Sequence, residues 1–545
     1  MSVTVFDQIQ PPTKGETVKS FNTTAVCVPS KHYMVDLTAR VHEIRKMVDE
    51  GKYFTINRAR QYGKTTTLLA LRKELQSDYV VVSISFESIS DSGFSSEDSF
   101  VKAFCRLLKS NPAFYQNIPE KTREELDSFL ARTDGRVALD ELFISLNWWC
   151  GISEKPIVML VDEVDSATNN QVFLDFLAQL RAGFISRETD DLPTFQSVIL
   201  AGVTDVKHLK AKIRPEDTHR QNSPWNIAAD FDIDMSLPED GIRGMLEEYE
   251  ADHHTGMDTA KMARLIREYT SGYPFLVSRI CQLIDMEYSG GAKALDAWSR
   301  TGLDEAIKKL LAEDNTLFQS LTKNLNDAPD LKASLRRVLM NGERLPYNMQ
   351  QDAIARLQMY GFIRNDHNTV RVSNRIFETL LYNLFLSDED LKNSPFNRMG
   401  DLDRNHFVEN GRLNMRRILD RFIVTYTEIC GPLEDRFKEK DGRELFLLYL
   451  RPIINGTGNY YIEAQTRDQT RTDVIVDYLG QQYIIELKIW RGERYNAAGE
   501  KQISEYLEYF GLNMGYMLSF NFNRKKEPGV KRVEIGDKVL FEGTL

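Results

Sequence analysis

Cysteine is scarce and scattered. Cys27, Cys105, Cys150, Cys281 and Cys430 are spread over 545 residues, odd in number and with no CxxC pair. That excludes a disulfide framework and a cysteine-based zinc site, and it fits a reducing cytoplasm. Long apolar runs are missing as well. No stretch reaches the roughly 18 apolar residues that a membrane-spanning helix needs. The opening segment MSVTVFDQIQPPTKGE has no apolar centre, so no signal peptide is expected. Positive charge is in deficit: 69 Lys and Arg against 80 Asp and Glu give a net charge of −11. This excludes a uniformly basic coat for nonspecific DNA binding, but not a local basic groove. No internal repeat or low-complexity tract interrupts the chain.

The rest of the composition, 42% hydrophobic and 27% charged, is that of a globular protein with real cores. At roughly 100–200 residues per domain the length allows three to five domains. Residues 35–48 have helical apolar spacing. Short β-rich runs follow at 53–57 (YFTIN), 79–86 (YVVVSISF), 158–161 (VMLV) and 197–201 (SVILA), separated by helical patterns. Strands alternating with helices imply a parallel sheet with crossovers. From about 239 to 323 the pattern is helical. From 328 to 386 helices precede a strand pair at 362–364 and 370–372, the order of a winged helix. Residues 387–405 are polar and turn-rich, which predicts a linker. Beyond them a helical stretch at 410–450 leads into strands at 460–465, 474–478 and 483–487, a helix near 502–510 and a strand at 515–520.

Two stretches carry chemistry. The first is Arg58-Ala59-Arg60-Gln61-Tyr62-Gly63-Lys64-Thr65-Thr66, between a strand and a helix. Backbone N–H groups at a helix start cradle phosphate. In such a turn Lys64 reaches the β and γ phosphates of ATP and the Thr65 hydroxyl binds Mg²⁺. The first position departs from GxxxxGK[ST], with Arg58 where glycine is usual; Arg58 is a candidate to touch phosphate itself or to obstruct the loop. The apolar run 157–161 leads into Asp162 and Glu163, one to hold Mg²⁺ and the other to polarise the attacking water. Read without that context, GKT is a turn and DE a helix cap.

The second stretch is Asp473 at the head of VIVDY, a turn, then YIIELK. Alternation puts Glu486 and Lys488 on one face of a strand. Carboxylates beside a lysine suit a hard cation, Mg²⁺ or Mn²⁺, that prefers oxygen ligands. The plainer reading is a charged pattern on an edge strand. Glu444 and Gln502 lie on the flanking helical stretches. Basic residues cluster at Arg412, Arg416, Arg417 and Arg421, at Arg491 and Arg494, and in the tail NRKKEPGVKR, read as a loop. They are candidates for phosphate contacts, as are Arg336 and Arg337.

With those motifs in view, YFTINRARQYGKTTTL, IVMLVDEVD, VILAGVTDV, SPWNIA and GYPFLVSRIC resemble the AAA-like ATPase domains of bacterial proteins, close to archaeal and STAND-type NTPases, over about residues 15–385. The resemblance implies a γ-phosphate sensor at Thr204 or Asp205 and a Gly-x-Pro element at Gly272–Pro274 near the nucleotide, which as a bare pattern is equally a helix start. It also implies an arginine finger, with Arg181, Arg187, Arg214 and Arg220 as candidates; a finger acting in trans requires a homo-oligomer. Residues 430–522 resemble the PD-(D/E)XK nuclease superfamily, with Asp473, Glu486 and Lys488 as its core, Gln502 in support and Glu444 as an extra acid. Thr472 replaces the usual proline.

The fold class expected is α/β: a P-loop NTPase core (1–238), a helical lid (239–325), a winged helix (326–386), a linker (387–409) and a PD-(D/E)XK nuclease-like domain (410–545). The expected site residues are Arg58, Gly63, Lys64, Thr65, Thr66, Asp162, Glu163, Thr204 and Pro274 for ATP and Mg²⁺, and Asp473, Glu486, Lys488 and Gln502 for a second Mg²⁺ or Mn²⁺ site. The expected function is metal-dependent cleavage of nucleic acid, DNA over RNA, gated or driven by ATP. By analogy with ATPase–nuclease fusions the setting is phage or mobile-element defence. A STAND-type scaffold whose last domain binds without cutting, and a winged-helix DNA-binding regulator, are the alternatives.

Overall fold

The computed structural model describes residues 19–545 except 169, 205, 207–223, 289–296, 341–342, 388–392, 431–438, 455–457, 464–472, 490–502, 505–506, 509–510 and 522–526. The β-branched runs form the first sheet: β1 (Phe54–Asn57), β2 (Val80–Ser85), β3 (Ile157–Asp162) and β4 (Ser197–Gly202). All pair in parallel, in the order β1-β4-β3-β2. Every residue of β3 and β4 is buried, as expected for a sheet covered on both faces. Ala229 bridges Phe54 in parallel and extends the sheet beyond β1. Helix α1 (Lys64–Leu75) starts directly after the turn that leaves β1, and α2 (Gln171–Asp190) crosses between β3 and β4.

A helical region follows, with α3 (Glu239–His253), α4 (Thr259–Thr270), α5 (Pro274–Tyr288), α6 (Arg300–Ala312) and α7 (Thr316–Asn326). Then come α8 (Pro329–Leu339), α9 (Asp352–Met359), the antiparallel pair β5 (Ile363–Asp366) and β6 (Thr369–Val372), and α10 (Arg375–Phe385). Residues 387–409, expected as a linker, instead contain α11 (Pro395–Asp403). Ser394 caps it by accepting from Asn397 N, Pro395 sits in its first turn, and Gly400 lets it approach the next domain so closely that a Cβ there would lie 2.1 Å from the Tyr449 carbonyl oxygen.

The last domain has α12 (Met415–Cys430), α13 (Glu439–Ile454) and a six-stranded mixed sheet. Its strands are β7 (Gly458–Glu463), β8 (Asp473–Tyr478), β9 (Gln481–Ile489), β10 (Met514–Phe520), β11 (Gly529–Ile535) and β12 (Lys538–Thr544), in the order β7-β8-β9-β10-β12-β11. β7 to β9 form an antiparallel meander, and β10 returns parallel to β9. The basic tail read as a loop is in part the edge strand β11, paired with β12. Among the described residues, no helix is long and apolar enough to cross a membrane.

Candidate nucleotide and nuclease sites

The turn after β1 is shaped by two residues in the left-handed region, Gln61 (φ 56°) and Gly63 (φ 79°). Arg58 is not among the left-handed positions, which explains why glycine is dispensable there. Its guanidinium donates to the Phe231 and Ile233 carbonyls at 3.3 and 2.9 Å and lies over the Phe231 ring, tying the turn to the segment beyond β4. Lys64 is buried and donates to the Arg58 and Ala59 carbonyls at 3.0 and 3.1 Å. Burial lowers its pKa, partly offset by Glu163, Asp165 and Asp162. Thr65 is half-buried at the second position of α1. Thr66 Oγ1 accepts from Cys27 N at 3.2 Å and so fastens the N-terminal segment to the turn.

Asp162 ends β3 buried, and its Oδ1 accepts from Glu163 N at 2.9 Å. Glu163 adopts φ 52°, a strained conformation for a side-chain-bearing residue of the kind that gathers at functional sites. Its pKa is raised by burial and by Asp162, Asp165 and Glu87, with Lys64 opposing. Asp165 holds the end of β4: its Oδ2 accepts from Val203 N at 2.6 Å and its Oδ1 from Thr204 N at 2.7 Å. Thr204 is thereby held just beyond the end of β4. Asp165 was not singled out from the sequence, although the acidic run DEVD contains it. Asp205, Arg214 and Arg220 lie outside the described residues. Arg187 is not free to act as a finger: it binds the Phe195, Gln196 and Gly51 carbonyls, each at 2.8 Å. Arg181 is exposed on α2.

Pro274 comes next to the turn: a Cβ on Gly63 would lie 3.9 Å from its Cγ. Tyr273 stacks edge-on against Tyr62 at 4.7 Å and donates from its hydroxyl to the Arg60 carbonyl. Gly361, just before β5, sits so close to the turn that a Cβ would meet Ala59 Cβ at 2.6 Å. A cleft of about 610 Å³ opens beside Gly63 and Thr66, walled by Asn22, Thr24 and Cys27 on one side and by Pro274, Arg279 and Thr316 on the other. Its place suits a nucleotide whose phosphates lie on the turn.

In the last domain Glu486 and Lys488 sit on one face of β9, 0% and 2% exposed, with Nζ and Oε1 3.2 Å apart. This is a central strand, not an exposed edge. The register that pairs Val474 with Ile485 puts position 473 opposite position 486. Ser519 is the neighbour of Lys488 on β10, and Glu542 of Met517 on β12; both are buried. Glu542 is ion-paired to Lys531 at 2.8 Å. The side chain of Asp473 and the whole of Gln502 lie outside the described residues. Among the described residues, no three His, Cys, Asp or Glu side chains gather as a metal site. The donor set, a buried carboxylate beside an ammonium with an aspartate position opposite it in the ladder, fits a hard divalent cation.

Other candidates are engaged elsewhere. Glu444 pairs with Arg336 at 3.7 Å, joining α13 to α8, and Arg337 pairs with Glu343 at 2.8 Å. Arg416, Arg417, Arg421 and Arg532 have Asp420, Glu409, Asp403 and Glu534 as partners, so these four arginines are locally balanced. Arg491, Arg494 and residues 524–526 are outside the described residues.

A parallel sheet with a phosphate-binding turn and an acidic strand end, followed by a meander carrying Glu486 and Lys488, defines a P-loop ATPase fold joined to a nuclease-type fold. The family model of the AAA-like domain matches residues 21–383, and the chain belongs to that family. The model of the PD-(D/E)XK nuclease superfamily matches residues 459–533. No curated protein matches the chain. Similar solved structures include the Walker-type ATPase PABY2304 of Pyrococcus abyssi, 15% identical over 64% of this chain and 96% of that one, with a TM-score of 0.45. Others are Cdc6p from Pyrobaculum aerophilum (14%, 64% and 93%, TM-score 0.32) and the ORC1 protein of Aeropyrum pernix in complex with DNA (12%, 65% and 93%, TM-score 0.27).

Proposed function

We propose that this chain hydrolyses ATP at the Lys64 turn and cleaves DNA at Glu486 and Lys488, with the state of the first site gating the second. The observation that carries the reading is the buried Glu486–Lys488 pair on a central strand of a PD-(D/E)XK-type sheet. Burying a charged pair is costly and is not needed to stabilise a strand otherwise filled by Ile484, Ile485 and Leu487. At the first site Lys64 releases the loop carbonyls to meet the β and γ phosphates, with Thr65 and Asp162 at the Mg²⁺ position. Glu163 orients the attacking water, and Thr204 faces the γ-phosphate. At the second site Asp473 and Glu486 hold Mg²⁺ or Mn²⁺, Lys488 positions the water that attacks phosphorus, and Gln502 supports it. The bound cation supplies Lewis acidity, lowering the pKa of that water and neutralising phosphate charge.

Gating is supported by three contacts. Gly361 touches the nucleotide-binding turn, Arg336 of the same module pairs with Glu444 of the last domain, and α6 grips the β8–β9 hairpin. A winged-helix role for residues 326–386 is on this reading that of a relay, not of an independent DNA reader. The α11 helix belongs with the nuclease domain. Cleavage of linear and plasmid DNA with Mn²⁺ tests the assignment. Loss of cleavage in Lys488→Ala with ATP turnover intact supports it; an intact wild type that cuts no DNA or RNA under any metal condition turns it into a binding scaffold.

A further inference from the structure

Between the end of α4 and the start of α10 lies a cleft of about 380 Å³ to which neither proposed activity assigns a role. Five arginines and three glutamates line it. Arg375 is bound to Glu268, and Arg371 to Asp366 at 3.2 Å. Arg364 donates only to Ser271 Oγ, at 3.4 Å, and neither it nor Arg267 forms an ion pair among the described residues. Partial desolvation and the neighbouring Arg371 and Arg267 hold the guanidinium of Arg364, itself an exposed residue of β5, below its ordinary pKa, with Asp366 and Glu378 opposing. Arg267, Arg364 and Arg371 thus bring like charge to one cleft, and an anion seated between them would offset that repulsion.

A second observation points to the same ligand. Asn374, which lines the cleft, is 4% exposed and caps α10: its Oδ1 accepts from Phe377 N at 2.8 Å. Its Nδ2 is buried without a hydrogen-bond acceptor. An orphaned donor of this kind costs about 1–3 kcal/mol unless something fills its need. The same end of α10 carries the positive pole of an eleven-residue helix. An acceptor-rich anion satisfies the donor, the helix end and the arginines together, and the planar guanidinium fork matches phosphate geometry.

We infer that this cleft binds a phosphate group, held by Arg267, Arg364 and Arg371 at the N-terminus of α10. The phosphate comes either from a small phosphorylated ligand or from the backbone of a nucleic acid. The inference does not depend on either proposed activity.

The test uses the full chain saturated with a non-hydrolysable ATP analogue, so that the nucleotide turn is filled. Inorganic pyrophosphate and a duplex DNA are then titrated separately by calorimetry into wild type, Arg364→Ala and Arg267→Ala. Pyrophosphate affinity is expected to fall about tenfold in each variant, the loss of one charge-assisted contact, with affinity for the ATP analogue unchanged. Arg364→Lys, which keeps the charge and loses the fork, is expected to fall between wild type and alanine. Loss confined to pyrophosphate supports the inference and assigns a small ligand. Loss that extends to DNA, with a salt slope smaller by about one, supports it and assigns a backbone phosphate. Wild type that binds neither probe, or variants that bind both as wild type does, overturns it.

Discussion

Arg300, at the first turn of α6 in the AAA-like region, reaches the carboxyl group of Asp477 on strand β8, with Nη2 and Oδ1 3.3 Å apart. Tyr269 donates to the other oxygen, and Gln482 Nε2 adds a bond of 3.1 Å to the first. Asp477 lies four residues along β8 from Asp473, so the hairpin that carries the proposed nuclease residues is gripped by the AAA-like region through one buried carboxyl group. The turn beyond it fits as tightly: a Cβ on Gly480 would lie 2.4 Å from Thr301 Oγ1.

Removing Arg300 leaves a buried carboxylate without its cation. Arg300→Ala is expected to cost about 3 kcal/mol, the low end of the range for buried pairs because Arg300 itself is 27% exposed. Arg417→Ala, which breaks a pair exposed on both sides, is expected to cost less than about 1 kcal/mol. Urea denaturation of both variants checks the contrast; equal costs contradict a buried latch.

The same place makes stability depend on pH. Asp304 on α6 has its pKa pushed up to about 8, first by burial and then by Asp477. Raised in the folded state above its unfolded value, this group binds more protons folded than unfolded between roughly pH 4 and 8. Its contribution is therefore complete below the unfolded value and is lost as pH rises toward 8. Thermal melts of wild type are expected to fall across that window, and Asp304→Asn to flatten the fall. An unchanged slope in the variant contradicts the assignment.

At the nucleotide turn the two substitutions that matter separate binding from chemistry. Lys64→Ala is expected to weaken ATP binding and abolish turnover. Glu163→Gln is expected to keep binding and lower turnover about 100-fold or more, since it removes only the group that takes up or orients a proton. Nucleotide titration and phosphate release distinguish them, and unchanged turnover in Glu163→Gln removes that residue from the mechanism.

Gly272 has φ 72°, and a Cβ there would lie 2.2 Å from the Leu237 carbonyl oxygen. Gly272→Ala is expected to destabilise by about 1–3 kcal/mol from the backbone conformation alone, with more from the collision. It should also weaken ATP binding, because Tyr273 and Pro274 follow directly and touch the turn. Calorimetric melting with and without ATP checks both effects.

The strands of the first sheet, the Gly63-Lys64-Thr65 turn, Asp162-Glu163 and the Glu486-x-Lys488 pattern are legible in the chain because each is local, set by periodicity or by a short spacing. What escaped is set by partners far away. Asp165 is one acid among several until β4 comes down beside it and offers the Val203 and Thr204 N–H groups. Asp477 reads as a polar break in VIVDY, and its partners Tyr269 and Arg300 are about two hundred positions upstream. The β11 edge is masked by charge: Lys531, Arg532 and Glu534 sit on a strand with one side in water, where a polar sequence is tolerated and the apolar signal is weak. The α11 helix has its cap and proline in the sequence, but its reason to form is the close seat of Gly400 on Tyr449.

The most direct measurement is the rate of Mn²⁺-dependent DNA cleavage with and without ATP, in wild type, Glu486→Ala and Lys64→Ala. The account predicts cleavage by wild type that changes with ATP, none by Glu486→Ala, and cleavage by Lys64→Ala that no longer responds to ATP. Cleavage that survives in Glu486→Ala would contradict the nuclease assignment, and a wild-type rate indifferent to ATP would contradict the coupling.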